Sequence, residues 1–421
     1  MSDGLAERQP RTRRGQSQER SVERRNRMAL AAIEILASHG VAGLTHRLVA
    51  AKAGVSLAAT TYYFDTKHEI VAEASSITLR GYTEAFKRAA ARIGSDRADV
   101  NTFTHFVRRI VQNATHRDRS QMLCWAEIIL DAHRHPESLA LARQWFGELD
   151  PLWEEIAKAA RCREPALVGH SAIDLAIGLL FMTVALGLDE KQLTEVLAQD
   201  GDPLRQWAPA RPRRPPRTPA ARLTPKSAET RERILHAAVA LLISDGAGAV
   251  TYRNIAAKAG LTPAAPIYHF PTVGSLLSTA QQRLFEESKD RYRLGDSSGD
   301  RPRGAGLELL IDRTATIFVR EATQFAGKNL ATYAIWLEAA RNPELRPMVW
   351  NAIADQHLAW QRVLGRVMPK QRPLDALVAQ AAYIGKIVRV LATGSTTDDL
   401  APVRAEFAYD LTALSRGVYW F

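Results

Sequence analysis

Apolar residues recur three and four positions apart through most of this chain. Met28, Ala32 and Ile35 share a stripe with Ala29, Ile33 and Leu36, and Ile234, Ala238 and Leu241 share one with Leu235, Val239 and Leu242. That period predicts amphipathic helices, because 3.6 residues per turn bring such positions onto one face. The period-2 alternation of strands is scarce, so the expected class is all-α. The longest apolar run, Ala172–Leu188, is 17 residues long and contains Asp174. It is short for a membrane span and predicts a buried helix.

The pattern occurs twice. Arg27–Phe64 aligns without gaps on Arg233–Phe270, and 17 of the 38 positions are identical, among them Gly40, Thr45, Arg47, Lys52, Gly54, Tyr62 and Phe64. Further on the offset changes from 206 to 207. LDAHRHPE, Leu130–Glu137, then faces LEAARNPE, Leu337–Glu344, while Trp153 faces Trp360, Gly178 faces Gly385 and Gly187 faces Gly394. One inserted residue explains the change. The chain reads as two copies of a unit of about 200 residues. Between them runs PARPRRPPRTPAARLTPK, Pro209–Lys226, whose prolines exclude a helix or a central strand. The expected organisation is a basic disordered arm (1–19), a small front domain (20–70), a larger helical domain (71–208), a linker (209–224), and second front and rear domains (225–277, 278–421).

Each front domain predicts helix, tight turn, helix. Thr45 is a good N-cap for HRLVAAKA, Gly54 ends that helix at positive φ, and Ser56 caps LAATTYYF. Thr251, Gly260 and Thr262 repeat the arrangement. The alanines let two short helices cross closely on the face of Arg20–Ser38. A helix-turn-helix offers its second helix to the major groove of DNA and its caps to phosphates. Pro263 suits the first turn of the second reading helix, but Pro266 removes an early hydrogen bond, so that helix is expected to start late or tilt.

Charge points the same way. The formal net charge is +11, and 45 of the 56 basic residues are Arg, which suits bidentate contacts to phosphate and guanine. A GC-rich genome gives the same bias. RQPRTRRGQSQERSVERR precedes the first front domain and RPRRPPRTPAAR the second, two arms able to lie on phosphates or enter a minor groove. Two cysteines, Cys124 and Cys162, with no CxxC pair, exclude a disulfide scaffold and fit a reducing compartment. A polar, basic start carries no secretory signal, so the cytoplasm is the expected location.

The residues from Arg27 to Lys67, with Ala31-Ala32, Gly40, Thr45-x-Arg47, AKAGVS and Tyr62-Tyr63-Phe64-x-x-Lys67, resemble the DNA-binding domain of the TetR family of transcriptional regulators, and do so twice. The rear domains resemble the family only through helical character and the PE-containing helices. The resemblance implies a three-helix front domain on operator DNA, and a rear domain that binds a small ligand and dimerises through a four-helix bundle. It implies phosphate contacts from Thr45, Ser56, Tyr63 and Lys67, and base or phosphate contacts from Arg47, Leu57, Ala58, Ala59 and Thr60, with Tyr62 on the backbone. In the second copy it implies Thr251, Arg253, Thr262, Pro263, Ala264, Ala265, Tyr268 and His269. The family's usual Tyr is replaced by Thr61 and Ile267, and Lys67 by Val273, so unequal half-sites are expected.

Two units in one chain imply an internal pseudo-two-fold dimer, with Ala172–Leu188 and Leu377–Thr393 as the bundle face. Each unit pairing with another chain is the alternative. Phe103, Phe106, Trp125, Trp145, Phe318, Tyr333 and Trp336 are core aromatics, some of which would line a cavity for an unidentified effector. The competing function is a small-molecule-binding or scaffold protein whose front domains no longer touch DNA. His133 and His135 beside Asp131 raise an enzyme or metal reading. Ala340 and Asn342 occupy the same positions in the second copy, so packing is expected there, with no cofactor and no metal.

Overall fold

A computed structural model describes residues 13–95, 99–197, 224–296, 306–368 and 370–421. Every regular element among them is helical. The first unit runs α1 (Arg13–Gly43), α2 (His46–Ala53), α3 (Leu57–Tyr63), α4 (Lys67–Ser95), α5 (Val100–Thr115), α6 (Arg119–Asp131), α7 (Pro136–Ala159), α8 (Pro165–Leu186) and α9 (Glu190–Val196). The second runs α10 (Pro225–Ser244), α11 (Tyr252–Ala259), α12 (Ala264–His269), α13 (Val273–Asp296), α14 (Leu307–Thr323), α15 (Ala326–Arg341), α16 (Arg346–Val367), α17 (Pro373–Thr393), α18 (Thr397–Leu400) and α19 (Val403–Ser415). Lys67 and Val273 open α4 and α13 at offset 206, whereas Val100 and Leu307 open α5 and α14 at offset 207. The inserted residue therefore falls between Val273 and Leu307.

Two expectations are corrected. The first arm is not wholly irregular, since the backbone is helical from Arg13. Its earlier residues, and the linker before Thr224, lie outside the described residues. Thr224 accepts from Ser227 N and caps α10, so Pro225 and Lys226 already belong to a helix, with Pro225 in its first turn.

The apolar run ends two residues past α8, a helix of 22 residues with Gly187 as its left-handed cap, and its counterpart lies within α17, a helix of 21. Both helices are long and apolar enough to cross a bilayer, but 89% of each apolar window is buried within the protein. They bury themselves against one another. A Cβ on Gly178 would lie 1.9 Å from the Ala381 carbonyl oxygen, and one on Gly385 would lie 1.7 Å from that of Asp174. Ala381 is the counterpart of Asp174 at the offset of 207, so these two contacts exchange under one rotation. The helices cross where only glycine leaves room for the opposing backbone.

Around the seam the rear domains share one core. Rings form a path from Trp145 through Trp125 and Phe181 in the first unit to Tyr333 and Trp336 in the second, with Phe181 and Tyr333 centroids 6.0 Å apart across the seam. Fully burying each such side chain contributes roughly 1.5–3 kcal/mol, so seam and rear cores stand or fall together.

Candidate nucleic-acid interface

In each front domain two short helices are held on a longer one by caps and a glycine turn. Thr45 Oγ1 accepts from Leu48 N at 3.2 Å and Ser56 Oγ from Ala59 N at 3.1 Å. Gly54 sits at φ 63, and its counterpart Gly260 also at φ 63, the left-handed turn that glycine adopts without strain. Thr251 Oγ1 accepts from Asn254 N at 3.3 Å. Thr262 departs from expectation: α12 starts one residue later than α3, Pro263 (φ −56, ψ −26) precedes it, and no side chain caps it. The ring of Pro263 leaves no N–H there and fixes the first turn by geometry instead.

Thr45, Arg47, Ser56, Leu57, Ala58 and Tyr62 are exposed and Ala59, Tyr63 and Lys67 half-buried. Tyr62 is 82% exposed and Tyr268 81%, far too open for core aromatics, and each stands edge-on to its neighbour, Tyr63 or His269. Arg253, Thr262, Pro263 and Ala264 are exposed, and Thr251, Ala265 and His269 half-buried. Thr60 must be corrected. It is fully buried and its Oγ1 donates to Leu57 O at 2.7 Å. Helical geometry turns positions 57, 58, 61 and 62 outward together and drops 60 onto the core. The outward face is therefore Leu57, Ala58, Thr61 and Tyr62, matched by Pro263, Ala264, Ile267 and Tyr268. Thr61 and Ile267, not named among the expected contacts, share this exposed face, as the helical period requires. Pro266 occupies the buried place of Thr60, so it shapes the helix from inside.

The first front domain is tied to the rear domain of the second unit. Arg341, at the end of α15, donates Nε to Ala37 O at 2.8 Å and Nη2 to Leu36 O at 3.3 Å and to Glu127 Oε1 at 2.7 Å. Glu127 Oε2 also accepts from Val41 N at 3.3 Å. A cation on the terminal carbonyls of the first helix answers both their unpaired acceptors and the helix dipole. The two-fold counterpart of Arg341 is Arg134, and its guanidinium carbon would lie 3.5 Å from a Cβ on Gly246 in the second front domain.

The rear aromatics named as ligand candidates are core. Phe103, Trp125, Trp145, Phe318, Tyr333 and Trp336 are buried and Phe106 partly so. In the second unit Trp336 Nε1 and Gln380 Oε1 are buried without a hydrogen-bond partner among the described residues, where the first unit has Ile129 and Ile173. His135 Nδ1 pairs with Asp131 Oδ2 at 2.8 Å. The Ser138 hydroxyl also donates to Asp131 Oδ2, at 2.6 Å, so the hydroxyl and the imidazole share one acceptor. Burial pushes the Cys124 thiol up to about 12, which keeps it protonated and unreactive.

Two helix-turn-helix front domains, each with an exposed second helix and each joined to a helical rear domain, define a bacterial-type DNA-binding transcriptional regulator. Family models match in both halves: "Bacterial regulatory proteins, tetR family" over residues 30–74 and 234–278, and "Tetracyclin repressor-like, C-terminal domain" over residues 98–201 and 305–414. The chain belongs to the TetR family and carries it as two tandem units. It is similar to the HTH-type nicotine-responsive transcriptional repressor HdnoR of Paenarthrobacter nicotinovorans, 26% identical over 157 residues that make up 37% of this chain and 79% of that protein.

Proposed function

We propose that the chain is a ligand-responsive repressor that grips one operator with both of its own front domains. What carries the reading is the pairing of two similar exposed helices, α3 and α12, with a single two-fold seam inside one polypeptide. On this reading Thr45, Ser56, Tyr63 and Lys67 hold phosphates, and Arg47, Leu57, Ala58, Thr61 and Tyr62 face the groove. In the second head Thr251, Arg253, Thr262, Pro263, Ala264, Ile267, Tyr268 and His269 take those places. Pro263, His269 and Val273 make the second half-site different from the first.

Gel shift with the DNA upstream of the chain's own gene tests DNA reading. Tight binding to that DNA, falling steeply with salt as phosphate contacts release counterions, is expected. Equal affinity for random DNA would sink the repressor reading and favour a scaffold with silent front domains. Sedimentation of the same complex tests the architecture, with one chain per operator expected.

The effector belongs to the rear domains. The polar atoms of Trp336 and Gln380, buried without partners among the described residues, support a site in the second unit over one in the first. Nicotine, for which the similar repressor is named, is the first probe. A shift in operator affinity or tryptophan emission on adding it supports the assignment. Trp336→Phe is expected to reduce that response without loss of fold.

A further inference from the structure

The seam between α8 and α17 has two halves that the internal two-fold relates, yet among the described residues only one of them carries a cluster of ion pairs. There the first unit supplies Asp174 and the second Lys386, Arg389 and Glu406, all buried. Lys386 Nζ lies 2.7 Å from Asp174 Oδ2 and 2.5 Å from Glu406 Oε2. Arg389 straddles the Asp174 carboxylate, Nε to Oδ1 at 2.7 Å and Nη2 to Oδ2 at 3.0 Å, and reaches Glu406 Oε2 at 3.1 Å. The two-fold counterparts of Asp174, Lys386 and Arg389 are Ala381, Leu179 and Met182, which carry no charge.

A second feature shares this one-sidedness. Beyond α19, Tyr419 and Trp420 tuck into the first unit. The Tyr419 hydroxyl and Ser171 Oγ are 2.6 Å apart, Ser171 Oγ donates to Asp410 Oδ1 at 2.6 Å, and Trp420 stacks edge-on against Phe103 at 5.1 Å. Trp420 Nε1 donates to the same Ser171 oxygen at 3.3 Å. The counterpart of Ser171 is Val378, which offers no hydroxyl, and that of Phe103 is Leu310.

We propose that this one-sided network is a pairing code: it makes the first unit and the second unit partners of each other and bars each from pairing with a second copy of itself. The proposal rests on the reading of the two units as a dimer. Its logic is exchange. Two mixed pairs cannot trade into like pairs without burying two Asp174 carboxylates that face Leu179 and Met182 and no cation. The same trade leaves two Arg389 forks without the carboxylate they straddle, and two Tyr419–Trp420 segments without Ser171. A buried charge stripped of its partner is strongly unfavourable, whereas an apolar pair in its place is tolerated. The linker brings the units together, and the network decides which faces may join.

The test uses the full chain with a protease site placed between residues 209 and 223, cut after purification. The halves differ in mass, so native mass spectrometry separates mixed from like pairs after prolonged incubation. Cut wild type is expected to remain mixed pairs. The comparison protein carries Asp174→Ala, Lys386→Leu, Arg389→Met, Glu406→Gln and Asp410→Asn, which give the charged half the apolar character of its mirror image. Once cut, it is expected to scramble, with each like pair roughly tenfold or more above wild type, about a hundredfold in the constant for trading two mixed pairs into two like ones, or about 2.8 kcal/mol or more. Asp174→Asn serves the same purpose with its shape kept, should the fivefold variant fail to melt cooperatively. Like pairs in cut wild type at the level of the variant, or a folded variant that stays wholly mixed, would overturn the code. If uncut wild type sediments as two chains, the single-chain reading fails while partner choice is still read from the cut protein. A failure to bind DNA bears on neither.

Discussion

At the scale of single residues, the seam glycines are the most constrained positions. Gly385→Val puts a side chain where the Asp174 carbonyl already lies, so α8 and α17 must separate. A loss of about 3 kcal/mol or more is expected from urea unfolding, at the upper end for overpacking. The ionisable groups of the seam give opposite pH slopes. Burial raises the Asp174 pKa, but Arg389 and Lys386 more than offset this and hold it at about 2. Its stabilisation is present above the ordinary value of 3.8 and is lost as pH falls towards 2. Burial pushes Asp410 up to about 6, against the pull of Lys386 and the Ser171 hydrogen bond. Asp410 therefore costs stability as pH climbs from about 4 to 6. His170, near Asp150 and Glu406, Tyr419 and the two cations face the same cluster. Thermal melts of Asp410→Asn are expected to gain on wild type across that interval and run parallel above it; a pH-independent difference would contradict the assignment. Residue-scale reading of the sequence succeeded where a local rule is strict: Thr45, Gly54, Ser56 and Gly260 behave as caps and turns. It failed at Thr60, because family position alone does not say which side of a seven-residue helix meets the core.

At the scale of elements, α3 and α12 are the same idea executed with different residues. Tyr63→Ala with Lys67→Ala should weaken operator binding more than His269→Ala, since Val273 already leaves the second head without that lysine. Equal losses by gel shift would argue for equal heads. Arg341 offers a different element-level test. Arg341→Ala strips donors from the end of the first helix and leaves Glu127 half-buried without its cation. A local loss of about 1.5–3 kcal/mol is expected, as for hydrogen bonds to charged groups. Hydrogen exchange of amides from Leu36 to Leu44 should accelerate, while Arg134→Ala should do less, because no hydrogen bond joins Arg134 to the second head among the described residues. Helix existence and order were legible from the 3.6-residue period, and the repeat exposed the two-fold. The cross-unit reach of Arg341 was not, since nothing in a linear pattern says that residue 341 ends beside residue 37.

At the scale of the whole molecule, the proposed internal dimer makes a statement about stoichiometry. Uncut protein should sediment near 46.6 kDa at micromolar concentration, and one such chain should occupy each operator. Affinity should fall log-linearly with salt, with a slope reporting the phosphates held by both heads. A slope unchanged by Thr251→Ala with His269→Ala would mean that the second head does not touch phosphate. The sequence announced the two-unit plan but hid its asymmetry, because Lys386 and Arg389 in an apolar helix look like ordinary interruptions until Asp174 is seen opposite. The glycine pair at the seam has one more consequence, and it is genetic. In a dimer of identical chains a single codon supplies both crossing glycines, and any change strikes both at once. Here Gly178 and Gly385 are separate codons that must each be retained for the same crossing. The gene is exposed to loss at two sites instead of one, and in return each head can mutate without altering its partner.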